Sequence, residues 1–588
     1  MENFGRAYSD IHTRNYDSMY QSNPAVATSL VLTRRSKKFS LDGIWKFTPD
    51  VFNTLLRKQL FNTAKSFDNS QRPIPMDFEF GQGFDITVPG SWNTASSELA
   101  LYEGSGIYTK EFEYCESQHT SKVYLRIGAA NYETTVFLNG QYVGRHIGGF
   151  TPFCMEIIKA LKTGKNQLLI VVNNTRKFEQ IPSDNYDWFN YGGITGSVDL
   201  ITVPETFIQS FHAYLVPDGE FRNICFVARI CGNAKECAFS IPQLDVEVTA
   251  QIIEGIAQTK VSVNISLWSP DNPILYNVSA SVIDDKVFDE VGFREIRVSG
   301  KQILLNGKEV FLKGICVHDE SDKGGRIASD DERLKILRVA KELGCNTLRL
   351  THYPHNERMS KLADRNGILL WEEIPVYWLL DFNNIDTYNN AENQLSELIE
   401  RDYNRASVII WSVGNENPDT DERLQFMRNL VIKAKVLDST RPVSAACLFD
   451  QDTMRVQDRL ADYIDIVSFN EYYGWYLRDY DGLNTLFNNT QVNKPLMITE
   501  TGGGAAFGFH GDAEELFTEE HQARIYEKQI QYSNGKIQGL FPWILFDFRS
   551  PVRMNNFQKF KNIKGIVSMD KENKKLAFKV LQNYYLSN

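Results

Sequence analysis

Short runs of β-forming residues, broken by Gly, Asn and Pro, fill the chain from about Leu41 to Val291. In the first part, V-F-L and Q-Y-V runs flank Asn139-Gly140, and Asn-Gly supplies the positive φ angles of a tight hairpin turn. Runs after Pro204, such as NICFVARI and YNVSASVI, have the length and spacing of a small immunoglobulin-like sandwich. The pattern predicts a jelly-roll-like β-sandwich over residues 1–203 and an immunoglobulin-like β-sandwich over residues 204–291.

After a second Asn-Gly turn at Asn306-Gly307, apolar runs alternate with helical patterns. The apolar runs cover 310–318, 346–352, 368–373, 408–416, 442–448, 465–471, 495–500 and 540–547. Between the first two runs, Ser329-x-x-Glu332 forms a capping box and Gly344 stands where a helix should end. Eight buried strands alternating with helices predict a (β/α)8 TIM barrel over residues 292–588, with KKLAFKVLQNYY as its last helix.

Length, charge and cysteine spacing indicate what kind of protein this is and which partners are unfavourable. A chain of 588 residues is too long for one hydrophobic core, and a formal charge of −11 disfavours nucleic acid and anionic membranes as partners. The start, MENFGRAYSD, lacks the basic and apolar regions of a secretory signal, and no run of ~18 apolar residues occurs.

The eight cysteines form no C-x-x-C pair, which favours reduced thiols in the cores. We expect a cytoplasmic homo-oligomer.

Polar residues stand at the ends of most predicted barrel strands, where the active site of such a barrel lies. His318 ends the first run, Asn415-Glu416 the fourth, and Glu500 the seventh. Burial disfavours the charged form of a carboxyl that ends an apolar strand such as VIIWSVGNE, and this suits Glu416 to act as a general acid. Two carboxyls flanking one bond are the equipment for glycoside hydrolysis, although a salt bridge at the barrel rim is the alternative for either Glu alone.

The strings GICVHDES, LRLTHYP, IIWSVGNEN, SFNEYYGWY, ITETGGG and PWILFDF occur in this order along the chain. As a set they resemble glycoside hydrolase family 2, and within it the β-glucuronidases. The segment VYLRIGAANYETTVFLNGQYVGRHIGGFTPF is similar to the sugar-binding-fold domain of that family. The resemblance implies a retaining mechanism with Glu416 as the acid/base and Glu500 as the nucleophile, without cofactor or metal.

The resemblance also implies residues that bind the sugar. Asn415 matches a residue that hydrogen-bonds the 2-hydroxyl, and the other matching positions are His318, Tyr472, Trp543 and, from the first domain, Asp187.

The resemblance implies that the segment FQKFKNIKGIVSMDKENKK determines which sugar of the family the site accepts. Its Asn562-Ile563-Lys564 resembles the Asn-x-Lys element with which β-glucuronidases bind the C6 carboxylate, and an ammonium with an amide donor suits an anionic sugar. Some glucuronidases carry a basic residue four positions before this Asn. Here that position is Gln558, which leaves Lys559 or Lys561 as a replacement.

We therefore expect the substrate to be a glucuronide-containing small molecule or oligosaccharide. A β-galacturonidase and a β-galactosidase of the same family stay open as alternatives. A carbohydrate-binding protein with a catalytically inactive barrel is the alternative from a different class.

Overall fold

The computed structural model describes residues 26–27, 35, 38–58, 60–61, 77–115, 122–327 and 329–587. The predicted lack of a secretory signal concerns residues outside these ranges. Within them, no helix combines the length and apolar character that crossing a membrane requires.

Two antiparallel sheets packed face to face form the first part of the molecule. Buried side chains of both sheets, including Trp45, Phe47 and Phe153, make its core. The Asn139-Gly140 turn has φ angles of 52° and 77° and joins two paired strands, as predicted. In order of pairing, one sheet contains Val26–Ala27, Phe153–Glu156, Lys122–Ile127, Val198–Val203 and Lys38–Ser40, and the other Phe84–Val88, Gly43–Asp50, Ser105–Tyr114, Gly164–Asn173, Glu133–Leu138 and Gln141–Ile147. The short strands Ala130–Asn131 and Gly193–Ile194 pair beside them, and a helix covers Thr54–Arg57.

The second sandwich is built from seven antiparallel strands. Val246–Ile253 pairs with one neighbour along most of its length and with another through Ile252 and Ile253, so it joins the two sheets. Phe226 and Phe239 stack between them at 5.2 Å. In order of pairing the strands are Phe207–Leu215, Asn223–Cys231, Ile256–Ser262, Val246–Ile253, Glu236–Ile241, Tyr276–Val282 and Asp285–Val291.

A closed barrel of parallel strands follows a small meander of Ile296–Ser299, Gln302–Leu305 and Lys308–Glu309. The first barrel strand has two segments: Leu312–Lys313 pairs with the eighth strand and Cys316–Val317 pairs with the second, which closes the ring. The second to eighth strands are Thr347–Leu350, Leu369–Glu373, Val408–Asn415, Val443–Cys447, Val467–Asn470, Leu496–Thr501 and Gly539–Pro542. Two sandwiches followed by a TIM barrel confirm the predicted fold class, and the boundaries 1–203, 204–291 and 292–588 stay predictions.

Helices surround the barrel, and the first of them has the predicted end signals. Ser329 Oγ accepts the backbone N–H of Glu332 at 3.3 Å, and Gly344 ends that helix with a φ of 92°. The helices are Asp330–Leu343, Glu357–Asn366, Ile385–Asp402, Asp421–Leu437, Asp481–Asn489, Glu519–Ser533 and Leu576–Ser587. A 3-10 turn at Arg459–Asp462 stands in the fifth connection, and Phe548–Arg549 pairs with Lys561–Asn562 after the eighth strand.

The cysteines match the expected core role. All are free thiols, and only Cys231 and Cys115 are not buried, being partly buried and exposed respectively.

Candidate active site

The carboxyl ends of the fourth and seventh barrel strands carry the two predicted catalytic glutamates. Glu416 directly follows the strand Val408–Asn415, and Glu500 lies near the end of Leu496–Thr501. The backbone of Glu416 is left-handed, with a φ of 51°, and its N–H donates to the carbonyl of Ala446 on the fifth strand at 2.8 Å. This turn directs the side chain out of the strand ladder and into the barrel mouth.

The carboxylate of Glu416 is held by neutral donors. The indole N–H of Trp378 donates to Oε2 at 2.8 Å, and the amide of Asn470 donates to Oε1 at 3.0 Å. Glu416 as a whole is only partly buried.

The carboxylate of Glu500 is held by a cation and a phenol. Arg349 Nη1 donates to Oε1 at 2.8 Å and Tyr472 OH donates to Oε2 at 2.7 Å, while Glu500 is only 4% exposed. Burial raises the pKa of Glu500 above its usual value, the charge of Arg349 opposes this rise, and the nearby charge of Glu416 adds to it.

Arg349, on the second strand, organises this site from inside the barrel. Its side chain is fully buried and donates to both oxygens of Glu373, at 3.0 and 3.1 Å, as well as to Glu500. Its Nη2 also reaches Asn415 Oδ1 at 2.7 Å. Sequence reasoning missed this residue, although a single charge inside the apolar run TLRL was the signal for it.

Asn470 links the two glutamate sites. Its amide nitrogen donates to Asn415 Oδ1 at 3.1 Å and to Glu416, and its own oxygen accepts Thr499 Oγ1 at 2.8 Å. Asn415 Nδ2 is buried and has no hydrogen-bond partner among the described residues. The network fixes this donor and leaves it free for a ligand.

The predicted residues His318 and Trp543 lie on an aromatic wall of the same mouth. Trp543 stacks on His352 with ring centroids 5.0 Å apart and meets His318 edge-on at 5.5 Å. His318 Nδ1 bonds Tyr353 OH at 3.0 Å, and its Nε2 has no partner in the described part of the chain. Burial lowers the pKa of His318 well below its usual value, so the ring is neutral near pH 7.

The predicted pair Asn562 and Lys564 lies beside the nucleophile candidate. Lys564 Nζ donates to Tyr476 OH at 3.0 Å and lies 4.3 Å from the ring centroid of Tyr472, the residue that binds Glu500. Asn562 Oδ1 accepts the backbone N–H of Lys564 at 3.1 Å and so fixes the turn that presents it.

Asp187 reaches this mouth from the first sandwich. Its carboxylate accepts Asn562 Nδ2 at 3.3 Å, Ser550 Oγ, and both Nε and Nη2 of Arg553. Arg553 was not found from the sequence, because it lies in the irregular loop after the eighth strand, where no periodicity marks it.

Lys559 and Lys561, the predicted replacements for the missing basic residue, are both exposed. Among the described residues, no group of three or more His, Cys, Asp or Glu side chains could hold a metal ion.

Two models of one protein family match most of this chain. Residues 39–204 match the family described as "Glycosyl hydrolases family 2, sugar binding domain", and residues 296–587 match "Glycosyl hydrolases family 2, TIM barrel domain". The chain is 28% identical over 605 aligned positions to a β-glucuronidase of Paenibacillus borealis, covering 93% of this chain and 96% of that relative.

Similar solved structures cover most of this chain. A β-glucuronidase of Bifidobacterium dentium, complexed with coumarin-3-O-glucuronide, is 26% identical with a TM-score of 0.82, covering 94% of this chain and 98% of that one. A β-galacturonidase from Eisenbergiella tayi, bound to galacturonate, is also 26% identical, with a TM-score of 0.81 and coverages of 94% and 97%.

Proposed function

This chain belongs to glycosyl hydrolase family 2, and we propose that it is a retaining β-glucuronidase that removes terminal β-D-glucuronides. The family identifies a glycoside hydrolase. The charges at the barrel mouth favour a uronic acid as the sugar. The expected cytoplasmic location and homo-oligomeric state stay predictions.

The observation that carries the proposal is the environment of Lys564. This side chain is 2% exposed, and no carboxylate pairs with it in the described part of the chain. Burying an ammonium without a counter-charge is costly, so a site of this kind gains most from a ligand that brings an anion. A uronic acid places its C6 carboxylate on the sugar ring itself, and a neutral hexose has no group that could pair with Lys564.

The two glutamates are equipped for different parts of a double displacement. Glu500, held against Arg349, would attack the anomeric carbon while Glu416 gives a proton to the departing oxygen, which leaves a covalent glycosyl-enzyme. Glu416 would then take a proton from the incoming water. The attack of that water on the anomeric carbon releases Glu500. Two inversions give a product that keeps the β configuration.

Free polar atoms around the two glutamates suit a sugar. Among the described residues, Asn415 Nδ2 has no hydrogen-bond partner, and it would bind the 2-hydroxyl, where hydrogen bonds strengthen in the transition state. Nε2 of His318, which has no partner in the described part of the chain, would bind another hydroxyl of the sugar at the aromatic wall. Both atoms are buried, so a ligand that satisfies them removes the cost of leaving them unpaired.

A β-galacturonidase is the second candidate. The E. tayi β-galacturonidase is as similar to this chain in identity as the B. dentium β-glucuronidase, and the two sugars differ only in the orientation of the 4-hydroxyl. Lys564 and Asn562 would bind the C6 carboxylate of either sugar.

Four matched substrates test the proposed sugar. We expect the 4-nitrophenyl β-D-glucuronide to be hydrolysed with a kcat/KM well above those of the galacturonide, the galactoside and the glucoside. Highest turnover of the galacturonide would assign the second candidate. Preference for the galactoside would remove the role of Lys564, and turnover of none of the four would support a carbohydrate-binding protein.

Leaving groups separate the roles of the glutamates. In Glu416→Gln, kcat/KM on a methyl glucuronide should fall by about 10²–10⁴-fold, because an alkoxide needs a proton, and fall much less on the 4-nitrophenyl glucuronide. In Glu500→Gln both substrates should lose turnover alike. An α-anomer as the first product seen by NMR would contradict the retaining mechanism, and so would a leaving-group dependence shown by Glu500→Gln instead of Glu416→Gln.

A further inference from the structure

We propose that Arg553 is the second cation of the uronate site, binding the substrate carboxylate together with Lys564. This inference rests on the proposed uronide specificity and adds a specificity-determining residue at a position that the Asn-x-Lys element does not include. Arg553 lies nine positions before Asn562, in the loop between the eighth strand and Lys561–Asn562.

Arg553 and Lys564 converge on one oxygen atom. Arg553 Nη1 donates to Tyr476 OH at 3.1 Å, and Lys564 Nζ donates to the same oxygen at 3.0 Å. Both charges are shielded from water, since Lys564 is buried and Arg553 half-buried. Two like charges this close repel each other unless an anion lies between them.

The two cations also lower the pKa of the phenol of Tyr476, which both of them contact. Burial raises the pKa of its phenol, but the charges of Lys564 and Arg553 outweigh that effect and bring the pKa below its usual value. Tyr476 as a whole is 56% exposed, so part of this residue borders solvent. Asp187 supplies one negative charge beside these two cations. A carboxylate bound beside Tyr476 OH would supply a second.

The ion pair with Asp187 orients the guanidinium for this task. Asp187 occupies the Nε and Nη2 side of Arg553, while Nη1 extends towards Tyr476. A guanidinium has five N–H donors in a fixed plane, so one carboxylate can be held on one edge while another is bound at the remaining donors. Asn562, which also donates to Asp187, places the Asn-x-Lys element against the same ion pair.

The other basic residues of the loop lack this placement. Lys559 and Lys561 are exposed, and Gln558 is buried with its amide oxygen accepting Asn555 Nδ2 at 2.6 Å. The loop therefore brings its second positive charge to the site from Arg553 and not from the position that Gln558 occupies.

The test is the ratio of kcat/KM on 4-nitrophenyl β-D-glucuronide to kcat/KM on the matching glucuronamide, whose C6 group is neutral and of similar shape. Arg553→Met should lower this ratio by about tenfold or more, the loss expected for a charged hydrogen bond, and Lys564→Met should lower it as well. Lys559→Met and Lys561→Met are matched controls and should leave the ratio unchanged.

A purely structural role for Arg553 gives a different result. If Arg553 served only to hold Asp187, its loss would lower turnover of both substrates alike, with the ratio unchanged. If Arg553→Met does not fold, Arg553→Gln keeps a polar group beside Asp187 and should lower the ratio in the same way. An unchanged ratio in the folded variant overturns the inference, whereas a wild-type enzyme that shows no preference for the charged substrate overturns the proposed function itself.

Discussion

Different partners give the two glutamates different tasks. Both groups that donate to Glu416, the indole of Trp378 and the amide of Asn470, are neutral. Glu500 instead faces the permanent charge of Arg349 at 2.8 Å. A fixed cation favours a carboxylate that stays ionised, as a nucleophile must, and neutral donors suit a group that gives and takes a proton in each cycle.

Replacement of Arg349 tests this division. Arg349→Met should lower the free energy of unfolding by about 3–5 kcal/mol, because the buried carboxylates of Glu373 and Glu500 lose their cation. It should also raise the pKa of Glu500 further. Since the nucleophile must be ionised, activity is lost as pH falls through that pKa, and the acidic limb of the kcat/KM profile should move to higher pH.

Urea unfolding and a pH–rate profile measure the two effects of Arg349→Met. Arg349→Lys keeps one positive charge but lacks the planar guanidinium with its several donors. Its values should lie between those of the wild type and the Met variant in both measurements. An acidic limb that stays in place in a folded Arg349→Met protein would show that Glu500 is not the group whose ionisation limits turnover.

At the scale of elements, the connections between strands place donors that the strands themselves lack. Trp378 lies in the connection after the third strand, with a positive φ of 53°. Its backbone N–H donates to the carbonyl of Asn415 at 3.0 Å, so the connection is pinned to the end of the fourth strand. This contact places the indole beside Glu416 and makes the third connection part of the site.

The helix Asp330–Leu343 offers a test of local signals. Ser329→Ala should lower the free energy of unfolding by about 1 kcal/mol, because the first turn loses the acceptor for the N–H of Glu332. Ser329→Gly is the matched control and should cost only a few tenths of a kcal/mol, since glycine also suits this position. Urea unfolding measures both, and equal losses would contradict a capping role for the hydroxyl.

At the scale of the whole molecule, the two sandwiches contact opposite ends of the barrel. The first reaches the catalytic end, where Asp187 pairs with Arg553 and Ser183 Oγ donates to the carbonyl of Leu379 at 3.0 Å. The second packs on residues just before the fourth strand begins, where Asn404 Nδ2 donates to the carbonyl of Phe211 at 3.0 Å. The first sandwich therefore completes the site, and the second supports the barrel from the far end.

Arg405 should act on stability without acting on chemistry. It pairs with Asp289 of the second sandwich and with Asp364 at 3.0 Å, and all three side chains are buried. Arg405→Met should lower the free energy of unfolding by about 3–5 kcal/mol, because two buried carboxylates lose their partner, while kcat/KM per folded molecule stays unchanged.

Arg365 provides a matched control for Arg405 at the same contact. It pairs with Glu290 at the surface, so Arg365→Met should cost no more than about 1 kcal/mol. Calorimetry and kinetics on both variants separate the outcomes, and a comparable loss for the two would contradict the argument from burial.

The predictable part of the site is the part that lies at strand ends. Asn415, Glu416 and Glu500 end apolar runs, and closure of a parallel barrel brings all such ends to one face whatever the helices between them contain. Arg553 and Trp378 lie in irregular connections, where side-chain direction depends on contacts with distant segments, so no local pattern could place them.

The sequence by itself determined the strands, the turns at Asn139-Gly140 and Asn306-Gly307 and the helix cap at Ser329, because alternation, φ preference and capping act over a few residues. Only the tertiary structure decided that Arg349 holds Glu500 and that Asp187 of the first sandwich meets Arg553 of the barrel. Those contacts join residues 151 and 366 positions apart. Their geometry follows from how three separate cores pack, and that packing has no signature within any single stretch of the chain.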